Sequence, residues 1–365
     1  MMDINKTVNC TSCNSTDYVT IYQVPTEIIV LLSVLYGSIS VVAIIGNFMV
    51  IWIVASSKSM QSVTNYFICN LALADIVIGF FAIPFEFQAA LLQRWTLSEF
   101  MCAFCPFIHV LSVNVSVFTL TAIAVDRHRA IIYPLSQRIS RSTAKMIITG
   151  IWIISSLLAA PMAIALRVGM VEEAPGHLKP FCYNIHLEDS VMLVYRLVLV
   201  TLQYLIPLAV ITWAYARIAH TLWGNKAPGN AQDARDANLL RNKERVIKML
   251  VVVVALFGIC WLPLQVYNIL QDIFPQINEY KYINIIWFCF DWLAMSNSCY
   301  NPFIYNYYNV STAMSYDKGM VLLIFLSSHV LFRKNFVENS DSAFKYSTTE
   351  YTRRSEGDIG KWMGN

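Results

Sequence analysis

The chain has 365 residues, of which 57% are hydrophobic and 13% charged; soluble domains hold roughly 45–50% and about 25%. Its 26 basic and 23 acidic side chains leave a net charge of +3, so composition makes no electrostatic case for nucleic-acid binding. With 9 Cys spread over that length it is not a disulfide-dense mini-protein, and an integral membrane protein remains.

In chain order, the first element is a polar tail, 1–27, with three glycosylation sequons headed by Asn5, Asn9 and Asn14. It has no apolar run of signal-peptide type, so the first span is expected to act as its own insertion signal. Seven apolar stretches follow, at 28–55, 64–92, 102–125, 146–166, 192–222, 246–273 and 282–309, each long enough to cross a hydrocarbon core of about 30 Å. Helices are the open-chain solution there, because each backbone N–H and C=O in lipid must be satisfied within its own segment. Lys58, the 127–145 loop (Arg127, Arg129, Arg138, Arg141, Lys145) and the 217–248 region load one side with cations; Arg94, Arg167, Lys179 and Lys281 are the sparser set opposite. Cation-rich loops stay in the cytoplasm, which puts the N-terminus and its sequons outside. The expected fold is an all-α membrane protein, a bundle of seven transmembrane helices over 28–309.

Ionisable and amide side chains inside the spans are costly and face the bundle interior. Asp75 in span 2 is the sharpest case, and Asn47, Ser116, Asn297, Ser298 and Asn301 lie at comparable depth. Together they make either one polar, cation- or water-holding cluster or a set of separate interhelical hydrogen bonds. Asp126-Arg127-His128 closes span 3; His128 reads as a solvated imidazole at a loop end, with titration near neutrality as the alternative. Pro263 kinks span 6 beside Trp261, Pro207 lies in span 5 with Tyr215 eight residues on, and span 7 ends Asn301-Pro302-Phe303-Ile304-Tyr305.

In this order, Asn47, LALAD at 71–75, DRH at 126–128, Trp152, Pro207, CWLP at 260–263 and NPFIY at 301–305 resemble the rhodopsin-like (class A) G-protein-coupled receptors. The resemblance implies a sodium and water pocket at Asp75, Ser116, Asn297, Ser298 and Asn301, with sodium the only non-protein group. It implies that Asp126 and Arg127 engage the G protein, that Trp261 is a toggle beneath the ligand, that Pro263 and Pro302 belong to the activation machinery, and that Tyr215 and Tyr305 re-pack on activation. Arrestin and kinases are further implied partners. Where such receptors often place a Glu to lock Arg127, the matching residue is Lys243, beside Glu244, so a weak lock is expected. An oxidising exterior and the family pattern both pair Cys102 with Cys182. Cys105 is expected to be a free thiol, Cys10 and Cys13 to be paired together or both free, and Cys69, Cys260, Cys289 and Cys299 to pack within the membrane.

Amine receptors need an Asp where His109 stands, and retinal proteins a Lys where Met295 stands, so neither activity is expected. Glu86, Gln88, His109, Gln203, Trp261, Gln265, Asn268 and Asp291 are instead the candidate ligand contacts, since amides, carboxylates and aromatic faces suit a peptide. Stretches at 87–95, 104–132, 227–236, 260–270 and 287–305 are similar to the invertebrate leucokinin receptors. That implies a short peptide ending in Trp-Gly-amide and Gq-type calcium signalling at the plasma membrane. A tachykinin, neuropeptide Y or RYamide type of receptor is the alternative, and a seven-helix transporter a more distant one. No metal-ligand spacing, phosphate loop or nucleophile–base pair marks an enzyme. After Tyr305, residues 310–331 read as an insert from an alternative exon or retained intron, before a cytoplasmic tail, 332–365, with Ser340, Ser342 and Thr348 among its candidate phosphorylation sites.

Overall fold

The computed structural model describes residues 25–308 except 57–61, 93, 134, 138, 175–176, 225–232 and 281. The expectations for Asn5, Asn9, Asn14, Cys10, Cys13, Lys58, the 310–331 insert and the 332–365 tail lie outside the described residues, as do the side chains of Lys243 and Glu244. Helix α1 spans Thr26–Ser56, α2 Val63–Phe81, α3 Ile83–Leu92, α4 Glu99–Ile132 and α5 Arg141–Ala165. A hairpin of β1 (Leu166–Ala174) and β2 (His177–Asn184) precedes α6 (Asp189–Val200), a π-turn (Thr201–Leu205) and α7 (Ile206–Gly224). Then come α8 (Asp233–Ile273), a short 3₁₀ turn (Pro275–Glu279) and α9 (Ile283–Tyr308). Helices α2 and α3 make one pass, and α6 with α7 another, so the bundle has the seven expected passes.

Both interruptions trace to proline. Pro84 has no N–H to give the carbonyl of Phe80, and the helix breaks at Ala82 before resuming as α3. Pro207 likewise leaves a gap in the ladder, and Ile206 N–H bonds back to Thr201 O, one residue further than in an α-helix. That wider turn sits where Gln203 and Tyr204 are buried.

Six passes are long and apolar enough to cross a membrane by length and composition. The seventh, α9, has 26 residues, enough at about 1.5 Å each, but it carries Asn284, Asp291, Ser296, Asn297, Ser298 and Asn301. Lipid tails give apolar helices no reason to associate, so close packing and polar contacts must hold them. At Gly46 of α1 a Cβ would stand 3.0 Å from the Pro302 ring of α9, and at Gly79 of α2 3.3 Å from Ala43 of α1. Tyr36, Phe67, Leu71, Ile123, Ile211 and Leu250 fill the space between helices and are almost wholly buried.

The hairpin was not expected, because the outer loop gave no strand signal beyond the short alternation Leu166, Val168, Met170. Its strands pair antiparallel with Val168 opposite Cys182. Cys182 forms the expected disulfide with Cys102 near the start of α4, and Trp95 N–H donates to Pro180 O (2.6 Å), so the hairpin is tied to the bundle twice. Cys105, Cys260 and Cys299 are buried free thiols, but Cys289 is exposed on α9 and does not pack inside, a correction to the sequence reading.

Candidate functional site

On the outer side a cavity of about 160 Å³ opens between α4, α6, the π-turn and α8. His109, Gln203, Trp261, Gln265 and Asn268 line it, joined by apolar Val113, Leu199 and Leu264. Trp261 forms part of this wall in contact with Phe257 (ring centroids 6.0 Å apart) and edge-on to His109 (6.5 Å). Gln203 Nε2 is buried and has no hydrogen-bond partner among the described residues, which leaves an amide donor for a polar ligand.

Behind this wall stand the acids. His109 Nδ1 lies 2.6 Å from Glu86 Oε2, and both side chains are about a quarter exposed or less, at 21% and 25%. The Tyr36 hydroxyl lies 2.9 Å from Asp291 Oδ2 and 2.8 Å from Phe288 O, with its ring stacked on Phe87. Glu86 therefore reaches the cavity through His109, and neither Glu86 nor Asp291 lines it, whereas the acid Asp272 does. Gln88 is not brought to the cavity: it is exposed, and its Nε2 faces Thr96 Oγ1 at 3.5 Å. It lies two positions on from Glu86, about 200° around a helix, so the pair cannot share a face.

Arg196, which the sequence reading did not single out, lines the cavity and pairs with Asp272 of α8 (Nη1–Oδ1, 2.7 Å). An Arg in the outer part of the predicted span 192–222, far from Arg217 at its inner end, was the available signal, since an ionisable residue at membrane depth is a functional candidate by default.

At mid-membrane Asp75 is 1% exposed. It accepts from Asn301 Nδ2 (2.8 Å), and the Ser298 and Ser116 hydroxyls also reach it. Asn47 donates to Ala43 O and Ser298 O (2.9 Å each), and Asn297 is buried on the same helix as Ser298. The hydrogen-bond partners of this acid are thus neutral, and hydroxyl and amide oxygens around one carboxylate are the donor set a small hard cation takes. Asn70, also missed from sequence, joins three helices by donating to Thr119 Oγ1 (2.8 Å) and accepting from Trp152 Nε1 (2.8 Å).

At the inner end Arg127 bonds Asp126 Oδ2 through both Nε (3.1 Å) and Nη2 (2.6 Å), and Nη2 also donates to the Thr64 hydroxyl. Tyr215 and Tyr305 are buried at 7% and 6% exposure, and the Tyr305 hydroxyl has no partner among the described residues. Pro263 and Pro302 lie inside α8 and α9, two residues past Trp261 and three before Tyr305. His128 corrects the sequence reading: its ring packs on Trp213 (4.9 Å) and its Nε2 is buried, so it is not a solvated imidazole.

The chain is similar to the Tachykinin-like peptides receptor 99D of Drosophila melanogaster, 39% identical over 288 residues that cover 77% of this chain and 55% of that protein. It is 38% identical to the RYamide receptor of Drosophila melanogaster over 286 residues, 77% of this chain and 61% of the relative. The Neuromedin-K receptor of Homo sapiens is also 38% identical, over 282 residues, 77% of this chain and 59% of the relative. The chain thus spans less than two thirds of the length of these relatives, which are receptors and not enzymes. The family model of the 7 transmembrane receptor (rhodopsin family) matches residues 46–305, from the helix that carries Asn47 to Tyr305 itself. The chain belongs to that family, as a multi-pass protein of the plasma membrane.

Proposed function

We propose that this chain is a cell-surface receptor for a short amidated neuropeptide and that it signals through a heterotrimeric G protein. The observation that carries the reading is the outer cavity, where amides from Gln203, Gln265 and Asn268 meet the Trp261 face and the Glu86-held imidazole of His109. A peptide end supplies what these groups pair with: carbonyl and amide groups for the polar side chains, an apolar ring for the indole. The names of the relatives favour a peptide of the tachykinin-like or RYamide type. A leucokinin-type peptide ending in Trp-Gly-amide is the second reading, favoured by the similarity of the stretches at 87–95 and 227–236.

Transmission follows as a shift in a pre-existing equilibrium. A ligand that contacts Trp261 differently in two states biases α8 about Pro263, and the same bias reaches the inner end, where Arg127 leaves Asp126 and Thr64 for the partner protein. Sodium at Asp75, with Ser116, Ser298, Asn297 and Asn301 as neighbours, belongs to the same proposal and would supply a counter-charge to the carboxylate in one of the two states. Output through Gq and calcium, with arrestin and kinases acting afterwards, completes it.

The test is a calcium readout in cells expressing the full chain and, in parallel, a form lacking 310–331. Peptides ending in Trp-Gly-amide, in Arg-Tyr-amide and of the tachykinin type are compared with their free acids. A response to one amidated class and a weaker one to its acid supports the reading. Silence of both forms at every peptide, with the receptor present at the cell surface, overturns it.

A further inference from the structure

A second opening, larger than the outer cavity, lies at the other end of the bundle. A groove of about 370 Å³ runs between α2, α4 and α5, walled by Phe67, Ala122, Val125 and Ile139, with Asp126 and Arg129 also on its lining. Phe67 at its floor is fully buried, whereas Val125 is 42% exposed, so the groove opens outward to the surrounding lipid. An apolar groove facing lipid selects nothing through its walls, since any acyl chain is as apolar as they are. Selection has to come from a headgroup.

The charges supply it. Arg129 is an exposed cation on the lining, and Arg141, also exposed, opens α5 two residues after Ile139. Neither makes an ion pair among the described residues. The one acid on the wall, Asp126, is held by Arg127 through two nitrogens and so presents little unneutralised charge. The cation-rich loops place this end in the cytoplasm, and the cytoplasmic leaflet is the one that carries anionic lipids. We infer that the groove between α2, α4 and α5 binds an anionic phospholipid of the inner leaflet, one acyl chain lying over Phe67 and Ala122 and the phosphate headgroup against Arg129 and Arg141. The lipid then packs on the residue that holds Arg127, so its presence supports the Asp126–Arg127 pair.

The full chain, purified in detergent with phosphatidylserine and phosphatidylcholine in equal amounts, tests this by native mass spectrometry of the retained lipid. Phosphatidylserine is expected to be retained preferentially, with the preference falling about fivefold in Arg129→Gln and again in Arg141→Gln, as for loss of one cation near an anionic lipid. Ala122→Phe fills the groove without changing charge and is expected to abolish retention; should that variant not fold, the two exposed Arg variants decide alone. Equal retention of the two phospholipids, a preference unchanged in both Arg variants, or displacement of phosphatidylserine by cholesterol would each overturn the proposal.

Discussion

In the outer half of the bundle Glu86 faces His109 and Asp272 faces Arg196, so two acids there have a basic neighbour within hydrogen-bonding distance. At mid-membrane Asp75 faces amides and hydroxyls from Asn301, Ser298 and Ser116. The two regions use buried polar groups to different ends. Fixed opposite pairs give the cavity a set shape and field, which is what recognition of a particular peptide end needs. An acid with neutral neighbours keeps its counter-charge exchangeable, which is what a two-state relay needs. Trp261 lies against His109 on one side and Phe257 on the other, at the inner wall of the cavity.

Breaking the outer pairing has the largest expected effect. Glu86→Ala leaves His109 without its carboxylate, and a lost hydrogen bond to a charged group costs about 1.5–3 kcal/mol, so peptide affinity is expected to fall between about 10- and 150-fold. Competition binding on membranes measures it. Because Glu86 acts through His109, the double variant with His109→Ala is expected to be little worse than either single one; fully additive losses would show that the two residues act apart.

The mid-membrane region responds to a different lever. Asp75→Asn keeps the size of the side chain and removes its charge, so the peptide's affinity is expected to remain while its dependence on sodium disappears. Replacing sodium by an organic cation at constant ionic strength is expected to raise agonist affinity at least about fivefold in the wild type, the lower end of ordinary coupling between two sites, and to leave the variant unmoved. A sodium response that survives in Asp75→Asn would place the ion elsewhere.

Tyr36→Phe tests a smaller piece, the hydroxyl that ties α1 to Asp291 and to the Phe288 carbonyl of α9. Losing it is expected to cost about 1 kcal/mol in thermal stability of the solubilised receptor, with peptide affinity changed by less than about threefold. A loss of affinity as large as that of Glu86→Ala would mean that Asp291 forms part of the cavity surface after all.

The passes were legible in the sequence because a membrane span needs about 20 apolar residues and little else resembles that. Their internal irregularities were less so: Pro84 and Pro207 were visible, but whether a proline breaks a helix or is absorbed by a π-turn depends on its neighbours. The β-hairpin at 166–184 depends on the Cys102–Cys182 link and the Trp95–Pro180 contact, both remote in sequence, and short alternation alone did not mark it. His128 was read as solvated because a sequence shows the end of a helix and not the Trp213 ring that packs over it from α7. Arg196 was lost inside an apolar window, where a hydropathy average hides one cation.

Gln88 gives the smallest expected effect and the most direct test of that lesson. It was chosen with Glu86 for residue type and depth, yet a helix turns about 100° per residue, and two residues on from Glu86 a side chain points to nearly the opposite face. Its amide is exposed beside Thr96, at a distance of 3.5 Å where a hydrogen bond is weak. Gln88→Ala is therefore expected to change peptide affinity by less than about twofold, since exposed substitutions away from special features stay within about 0.5 kcal/mol. Competition binding on the same membranes as Glu86→Ala gives the contrast directly. A loss matching that of Glu86→Ala would show that the peptide reaches past the cavity mouth to the outer end of α3, so that recognition extends over the rim as well as into the bundle.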